Sequence, residues 1–190
     1  YLRETYHKPG NVYVGLLHRL DRPVGGVMVF AKTSKAASRL SRQIREGGMQ
    51  KEYLAVVHGL PPAEGRMEDF LLKDGTKNRV KVVREGIPGA KRAALSFRRE
   101  AARRDRSLVR VFLETGRPHQ IRVQFASRGY PLLGDMRYGR GEGGGIALYS
   151  AGIGFAHPVS GERLFFASLP HGGFFREFSE NAPETGSLFL

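Results

Sequence analysis

Few side chains in this sequence are grouped in a way that suits chemistry. The densest group is His18-Arg19-Leu20-Asp21-Arg22, leading into Pro23-Val24-Gly25-Gly26. A carboxylate set between two arginines is expected to stay ionised at neutral pH, because a nearby cation favours its charged form. Asp21 is thus equipped as a nucleophile or a base, and not as an acid. The alternative is an aspartate that only opens a turn, with Pro23 and the glycines supplying the turn dihedrals; taken alone, the motif favours that plainer reading. A second group lies in Glu114-Thr115-Gly116-Arg117-Pro118-His119-Gln120-Ile121-Arg122-Val123-Gln124-Phe125, where a strand gives way to a helix with Pro118 near its first turn. Arg117, His119 and Arg122 add positive charge there to the free N–H groups and dipole of a helix start. From the first turns of that helix, Arg122 can reach back toward Asp21.

Other chemistries are poorly served. Cysteine is absent, which removes disulfides, zinc–thiolate and iron–sulfur sites and thiol nucleophiles, and is compatible with a reducing cytoplasm. The histidines at 7, 18, 58, 119, 157 and 171 include no i, i+4 pair, so no metal site is expected. Of Asp21, Asp69, Asp74, Asp105 and Asp135, only Asp21 sits in a charged motif. Glycoside hydrolysis generally takes two carboxyl groups across the bond, and metal-dependent nucleases take clustered acids, which makes a hydrolase a distant reading. The Gly-rich run 141–145 has no lysine and no G-x-G-x-x-G frame between a strand and a helix, which rejects a nucleotide-binding loop.

The elements that must position these groups fit one domain. The 190 residues are 41% hydrophobic, enough for a core, and no apolar run is long enough to span a bilayer. The first residues lack a signal-peptide pattern, so a soluble cytoplasmic protein with no membrane partner is expected. The 31 Lys and Arg against 18 Asp and Glu leave a formal charge of +13. That points to a polyanionic partner, nucleic acid before a membrane surface, because the basic residues are scattered through several elements and not gathered on one amphipathic helix.

Along the chain, Pro9-Gly10-Asn11 signals a turn before a short strand at 12–14. Residues 24–31 (VGGVMVFA) read as a mostly buried strand whose glycines permit close approach of another backbone. Ala36, Ala37, Leu40 and Ile44 predict a helix over 33–46, capped by Thr33 or Ser34 and stopped by Gly47, with Lys35, Arg39 and Arg42 on one stripe that either meets phosphates or is only a solvated face. Residues 51–59 predict a strand with Lys51, Tyr53, Ala55 and Val57 on one face. Tyr53 there either packs or offers a ring for a base to stack on, and His58 is structural. Strand pairs are expected at 70–72 with 80–83, at 91–100 with 107–114, and in a terminal hairpin of 146–157 with 163–169. Residues 134–145 read as a flexible Gly-rich connection, and the tail after Pro170 holds Phe174, Phe175 and Phe178. Strand pairs with two helices give an α+β fold.

Three of these stretches together, HRLDRPVGG (18–26), KEYLAVVHG (51–59) and GRPHQIRVQF (116–125), resemble the motifs of the RluA-type RNA pseudouridine synthases. The likeness runs on into GDMRYG (134–139) and a terminal hairpin whose first strand ends in FAHP. The resemblance implies a long, bent, mainly antiparallel mixed sheet with flanking helices around a central catalytic cleft, with Asp21 at its floor. It implies one catalytic domain over 1–190, without the family's most N-terminal strands or an S4-type RNA-binding domain. The activity implied is isomerisation of uridine to pseudouridine in ribosomal or transfer RNA by a monomer, with no cofactor or metal: the base detaches at N1, turns and rejoins the sugar through C5. On that reading Asp21 is the catalytic carboxylate, Arg122 pairs with it, Tyr53 stacks on the target base, and Arg19 fills the gap left by the flipped nucleotide. His18, Arg22, Lys51, Arg117, His119 and Gln120 are the further residues expected to meet RNA. This sequence departs from the family pattern at Val24-Gly25-Gly26, where Thr-Ser-Gly is common, and at Leu148-Tyr149-Ser150-Ala151, where Leu-His-Ala is frequent. The rival from another class is a non-catalytic RNA-binding or ribosome-associated module, which would show salt-sensitive binding and no turnover.

Overall fold

The computed structural model describes residues 2–5, 7 and 10–179. After a single helical turn, α1 (Leu2–Thr5), come three two-residue strands, β1 (Gly15–Leu16), β2 (Gly25–Gly26) and β3 (Phe30–Ala31), and then helix α2 (Ser34–Arg45). Strands β4 (Gln50–His58), β5 (Glu64–Asp74), β6 (Arg79–Val83), β7 (Lys91–Arg103) and β8 (Arg106–Leu113) lead to the short helix α3 (Gln120–Ala126). Strands β9 (Leu148–Ala156) and β10 (Arg163–Ala167), a 3-10 turn at Gly173–Phe175 and α4 (Arg176–Ser179) end the described chain. The main sheet runs β10-β9-β4-β8-β7-β5-β6, with every pairing on that path antiparallel; β2 lies parallel to β9 and makes the sheet mixed. Register shifts at Glu52/Tyr53 and Arg99/Ala101 bend its strands.

The central strand explains why the core has two sides. Tyr53, Ala55 and Val57 of β4 enter one cluster with Ile121 and Phe125 of α3, while Leu54 and Val56 enter another with Phe175 and Phe178. A strand covered on both faces reads as an unbroken apolar run, which is why residues 53–57 contain no charged side chain. Helix α2 covers a third cluster, setting Leu40 against Ala31, Met49, Ile153 and Phe155. Thr33 caps it, Oγ1 accepting the Ala36 N–H at 3.1 Å, and Gly47 turns away at φ +74. Arg39, one of the basic stripe on this helix, donates to the Pro158 carbonyl and ties α2 to the turn between β9 and β10.

Residues 24–31 are not a buried strand. Gly26 stands at φ +121 and breaks the extended run, and only Val24 and Ala31 are buried. The expected close approach of a second backbone is present, at Gly26 alone: a Cβ there would lie 2.7 Å from the Ser150 nitrogen and nearer still to its oxygen. Residues 12–14 form no strand, and the pairing falls instead on β1 against β3. Helix α3 begins two residues after Pro118, because His119 adopts φ +51, a left-handed conformation that cannot open a helix. The stretch expected to be a flexible connection includes a packed turn, with 132–135 buried. Pro9 of the expected turn and the tail beyond 179 lie outside the described residues.

Candidate active site

Helix α3 delivers Arg122 from a segment in which residues 120–125 are all buried. A buried guanidinium needs carboxylate partners, and two supply them. Asp135 is held by a two-pronged contact, Nε to Oδ2 at 2.8 Å and Nη2 to Oδ1 at 2.6 Å, while Nη1 donates to Oδ2 of Asp21. Asp135 is 1% exposed, and its Oδ1 also accepts the backbone N–H groups of Arg137 and Tyr138. Burial by itself would raise its pKa, but Arg122 and those two N–H groups outweigh burial and hold it below the ordinary aspartate value. Arg122 shows the mirror case: burial pulls its pKa down, and the two carboxylates push it above normal. Asp135 is the residue that sequence reasoning missed. GDMRYG carries no local signal for it, since the need for a second acid follows only from the burial of Arg122.

Asp21 keeps its other oxygen less engaged. Oδ1 accepts the Arg22 N–H at 3.2 Å and lies 3.6 Å from Nε2 of His119. The Val24 N–H donates to the Asp21 carbonyl at 2.8 Å, so the plain turn reading holds, and the turn aims the carboxylate. His119 Nδ1 sits 2.8 Å from the Tyr138 hydroxyl, whose oxygen accepts the Val80 N–H at 2.8 Å. A phenol already accepting from an amide directs its proton to the imidazole, which leaves the ring proton on Nε2, toward Asp21. Burial lowers the His119 pKa against the pull of the Asp21 charge, so the ring is neutral at pH 7.

From Asp21 a groove of about 900 Å³ runs past Tyr53, Leu148, His18, Arg19, Lys51 and Arg117. Tyr53 reaches it from the expected face of β4, yet the ring over which the Arg122 guanidinium lies is Tyr138, 5.2 Å to its centroid. Burial pushes the Tyr53 phenol above its usual value, so it stays protonated at neutral pH. His18 Nε2 accepts the Val29 N–H at 3.2 Å, and burial together with the Lys51 charge keeps the ring neutral. Lys51 is half-buried, which lowers its pKa, and no carboxylate pairs with it among the described residues. Arg19 is exposed at the rim, and Arg117 donates to the Arg92 carbonyl at 2.8 Å. Gln120 lines the groove, but its side-chain amide is already engaged within the protein. Its Oε1 accepts the Arg117 N–H and the Thr115 hydroxyl, and its Nε2 donates to the Ala94 carbonyl, so it fixes the loop before α3. Arg22 faces a neighbouring hollow and not this groove. Among the described residues no group of His, Cys, Asp and Glu is arranged to hold a metal ion.

A sequence model of the family described as RNA pseudouridylate synthase matches residues 2–127, a span that includes Asp21, Tyr53 and Arg122. The chain belongs to the RluA-type RNA pseudouridylate synthase family. It is 34% identical over 168 residues to the ribosomal large subunit pseudouridine synthase D of Zymomonas mobilis, covering 82% of this chain and 53% of that protein. An uncharacterized RNA pseudouridine synthase of Bacillus subtilis is 38% identical over 161 residues, 83% of this chain and 56% of the other. The chain thus spans about half the length of these curated relatives. The synthase fold is shared with human RNA pseudouridylate synthase domain containing 1, at a TM-score of 0.71 and 24% identity over 89% of this chain and 72% of that one. No helix among the described residues is long and apolar enough to cross a membrane.

Proposed function

We propose that the protein isomerises uridine to pseudouridine in structured RNA, its 190 residues acting as one catalytic domain and as a monomer in the cytoplasm. Ribosomal RNA is the first substrate to test, since relatives carry that name, and transfer RNA the second. The observation that carries the reading is the chain Asp135–Arg122–Asp21, which places a charged carboxylate at the head of a groove lined by Tyr53 and Leu148. No cofactor or metal enters the chemistry.

A base stacked in RNA must leave the stack before its glycosidic bond can be reached, at a cost of about a few kcal/mol. The Tyr53 ring receives the base, Arg19 at the rim takes its vacated place, and His18, Lys51, Arg117 and His119 line the path of the strand. Asp21 then acts on the sugar. The C1′–N1 bond breaks with its electron pair leaving on uracil, the base turns in the groove, C5 bonds to C1′, and the C5 proton is lost as N1 gains one. Attack at C1′ and removal of the C2′ proton both begin from the Asp21 carboxylate, which Arg122 holds in place.

The test incubates the protein with large-subunit rRNA and with tRNA, maps pseudouridine in each, and follows tritium release from 5-tritiated uridine. Wild type converts one RNA at defined uridines, whereas Asp21→Asn lowers turnover to background and retains RNA affinity. Ordinary turnover by Asp21→Asn would remove the proposal.

A further inference from the structure

We infer that the hollow that adjoins the Tyr53 groove at Asp21 binds the nucleotide next to the target uridine, its base laid on Met136 and its phosphate among Arg22, Lys77, Arg79 and Arg137. This rests on the reading that Asp21 works on a ribose within RNA. The hollow measures about 550 Å³ and shares Asp21, Asn78, His119 and Arg122 with the Tyr53 groove. A strand whose sugar sits at Asp21 and whose base enters the groove continues through one phosphodiester on either side. The adjoining hollow is where that continuation finds opposite charge.

Charge matching sets these cations apart from the paired arginines of β5, β7 and β8. On the sheet, Arg66 pairs with Glu68 and Glu114, Arg92 with Glu68, Arg98 with Glu100, and Arg110 with Glu52 and Glu100. Arg22, Lys77, Arg79 and Arg137 have no carboxylate partner among the described residues, and the one acid lining the hollow, Asp21, is taken by Arg122. Two of the four are also held in place. Arg79 donates to the Arg137 carbonyl and Arg137 to the Asn78 carbonyl, a reciprocal clamp between the tip of the β5–β6 hairpin and the turn after Asp135. Each guanidinium gives up one of its N–H groups to that clamp and keeps its charge and further donors for a phosphate. Preorganised donors of this kind lose little freedom on binding. Between them Met136 stands 76% exposed beside a residue that is 1% exposed. An unbranched, polarisable thioether in that position offers a surface for an aromatic base.

The test uses a fluorescein-labelled RNA hairpin copied from large-subunit rRNA with one uridine in its loop. Three versions are made: both neighbours intact, the 5′ neighbour abasic, and the 3′ neighbour abasic. Wild type, Met136→Ala and the control Val159→Ala, 79% exposed on the turn between β9 and β10, are compared by binding anisotropy and by pseudouridine formation. Met136→Ala and one of the abasic positions each weaken binding roughly tenfold, the scale of a lost base-stacking contact. Together they weaken it no further, as two halves of one contact must, and Val159→Ala binds as wild type does. Losses that multiply, or the absence of loss at both abasic positions, overturn the site. Conversion is scored separately: coupling without conversion keeps the hollow and removes the isomerase, and conversion without coupling does the reverse.

Discussion

Arg122 holds two carboxylates that differ in what they have left to give. Asp135 is fully enclosed, and its contacts to Arg122 and two backbone N–H groups engage both oxygens; the Asp21 side chain is 26% exposed and leaves Oδ1 facing the cleft. On the proposed function, Asp135 is the holder and Asp21 the acting group. Removing one partner from a buried ionic network is expensive, so Asp135→Ala is expected to lose about 3 kcal/mol of stability in urea denaturation and most turnover with it. Asp21→Ala removes a half-exposed partner, so its stability should stay within about 1 kcal/mol of wild type while activity vanishes. Equal stability losses in the two variants would contradict this division. His119 adds a pH dependence, set by the groups that face it: Asp21, Asp135, Arg122, Arg137 and Tyr138. Its folded pKa lies below the ordinary 6.5, so the unfolded chain takes up the proton first as pH falls. The stability contributed by the neutral ring is present above 6.5 and is lost on acidification below it. Protonation also removes the acceptor for Tyr138 and sets a cation against Oδ1 of Asp21. Turnover should fall on the acid side, and that limb should shift in His119→Gln when kcat/KM is followed across about pH 5 to 8.

Two adjacent glycines show how β2 aims the turn that carries Asp21. A Cβ on Gly25 meets only the Tyr149 ring at 3.5 Å, whereas one on Gly26 is driven into the Ser150 backbone at a φ of +121. Gly25→Ala should convert RNA at close to the wild-type rate. Gly26→Ala must part β2 from β9, moving Asp21 against Arg122, and a misplacement of about 1 Å can lower turnover on the order of a hundredfold. Similar rates for the two alanine variants would show that the β2–β9 contact does not position the site. The contrast also marks what the sequence disclosed. β4, the hairpins and α2 were legible because each combines a clear period with its own stop or cap, and Thr33 does cap α2; Thr33→Ala should cost about 1 kcal/mol. The stretch 24–31 has the same apolar letters as a buried strand, and only the dihedral forced on Gly26 by Ser150 undoes it. The left-handed turn at His119 follows from Gln120 binding back to Thr115, Arg117 and Ala94, contacts that no local propensity contains. Arg122 meeting Asp21 was foreseen from the motifs. Its fork onto Asp135 was not, because a carboxylate among glycines and a tyrosine looks like part of a turn until the buried guanidinium is in place.

Across the whole molecule, the charge of +13 is unevenly available. Arg66 on β5 and Arg98 on β7 are neutralised by the glutamates beside them, whereas the arginines bordering Asp21 in the hollow, Arg22, Arg79 and Arg137, have no carboxylate partner among the described residues. RNA affinity falls with salt because phosphates that meet cations release bound counterions, so only cations that touch phosphate contribute to the slope. Lys77→Gln should therefore weaken binding and reduce the slope of log Kd against log salt concentration by about 0.7 to 0.9, the value of one lost phosphate contact. Arg98→Gln removes the same formal charge from a residue that is paired with Glu100 at 2.9 Å, and it should leave both affinity and slope near wild type. Titrations of the two variants on one RNA at several salt concentrations separate the cases. Equal slope changes would mean that RNA responds to net charge alone, and that the unmatched cations around Asp21 have no special part in guiding the strand.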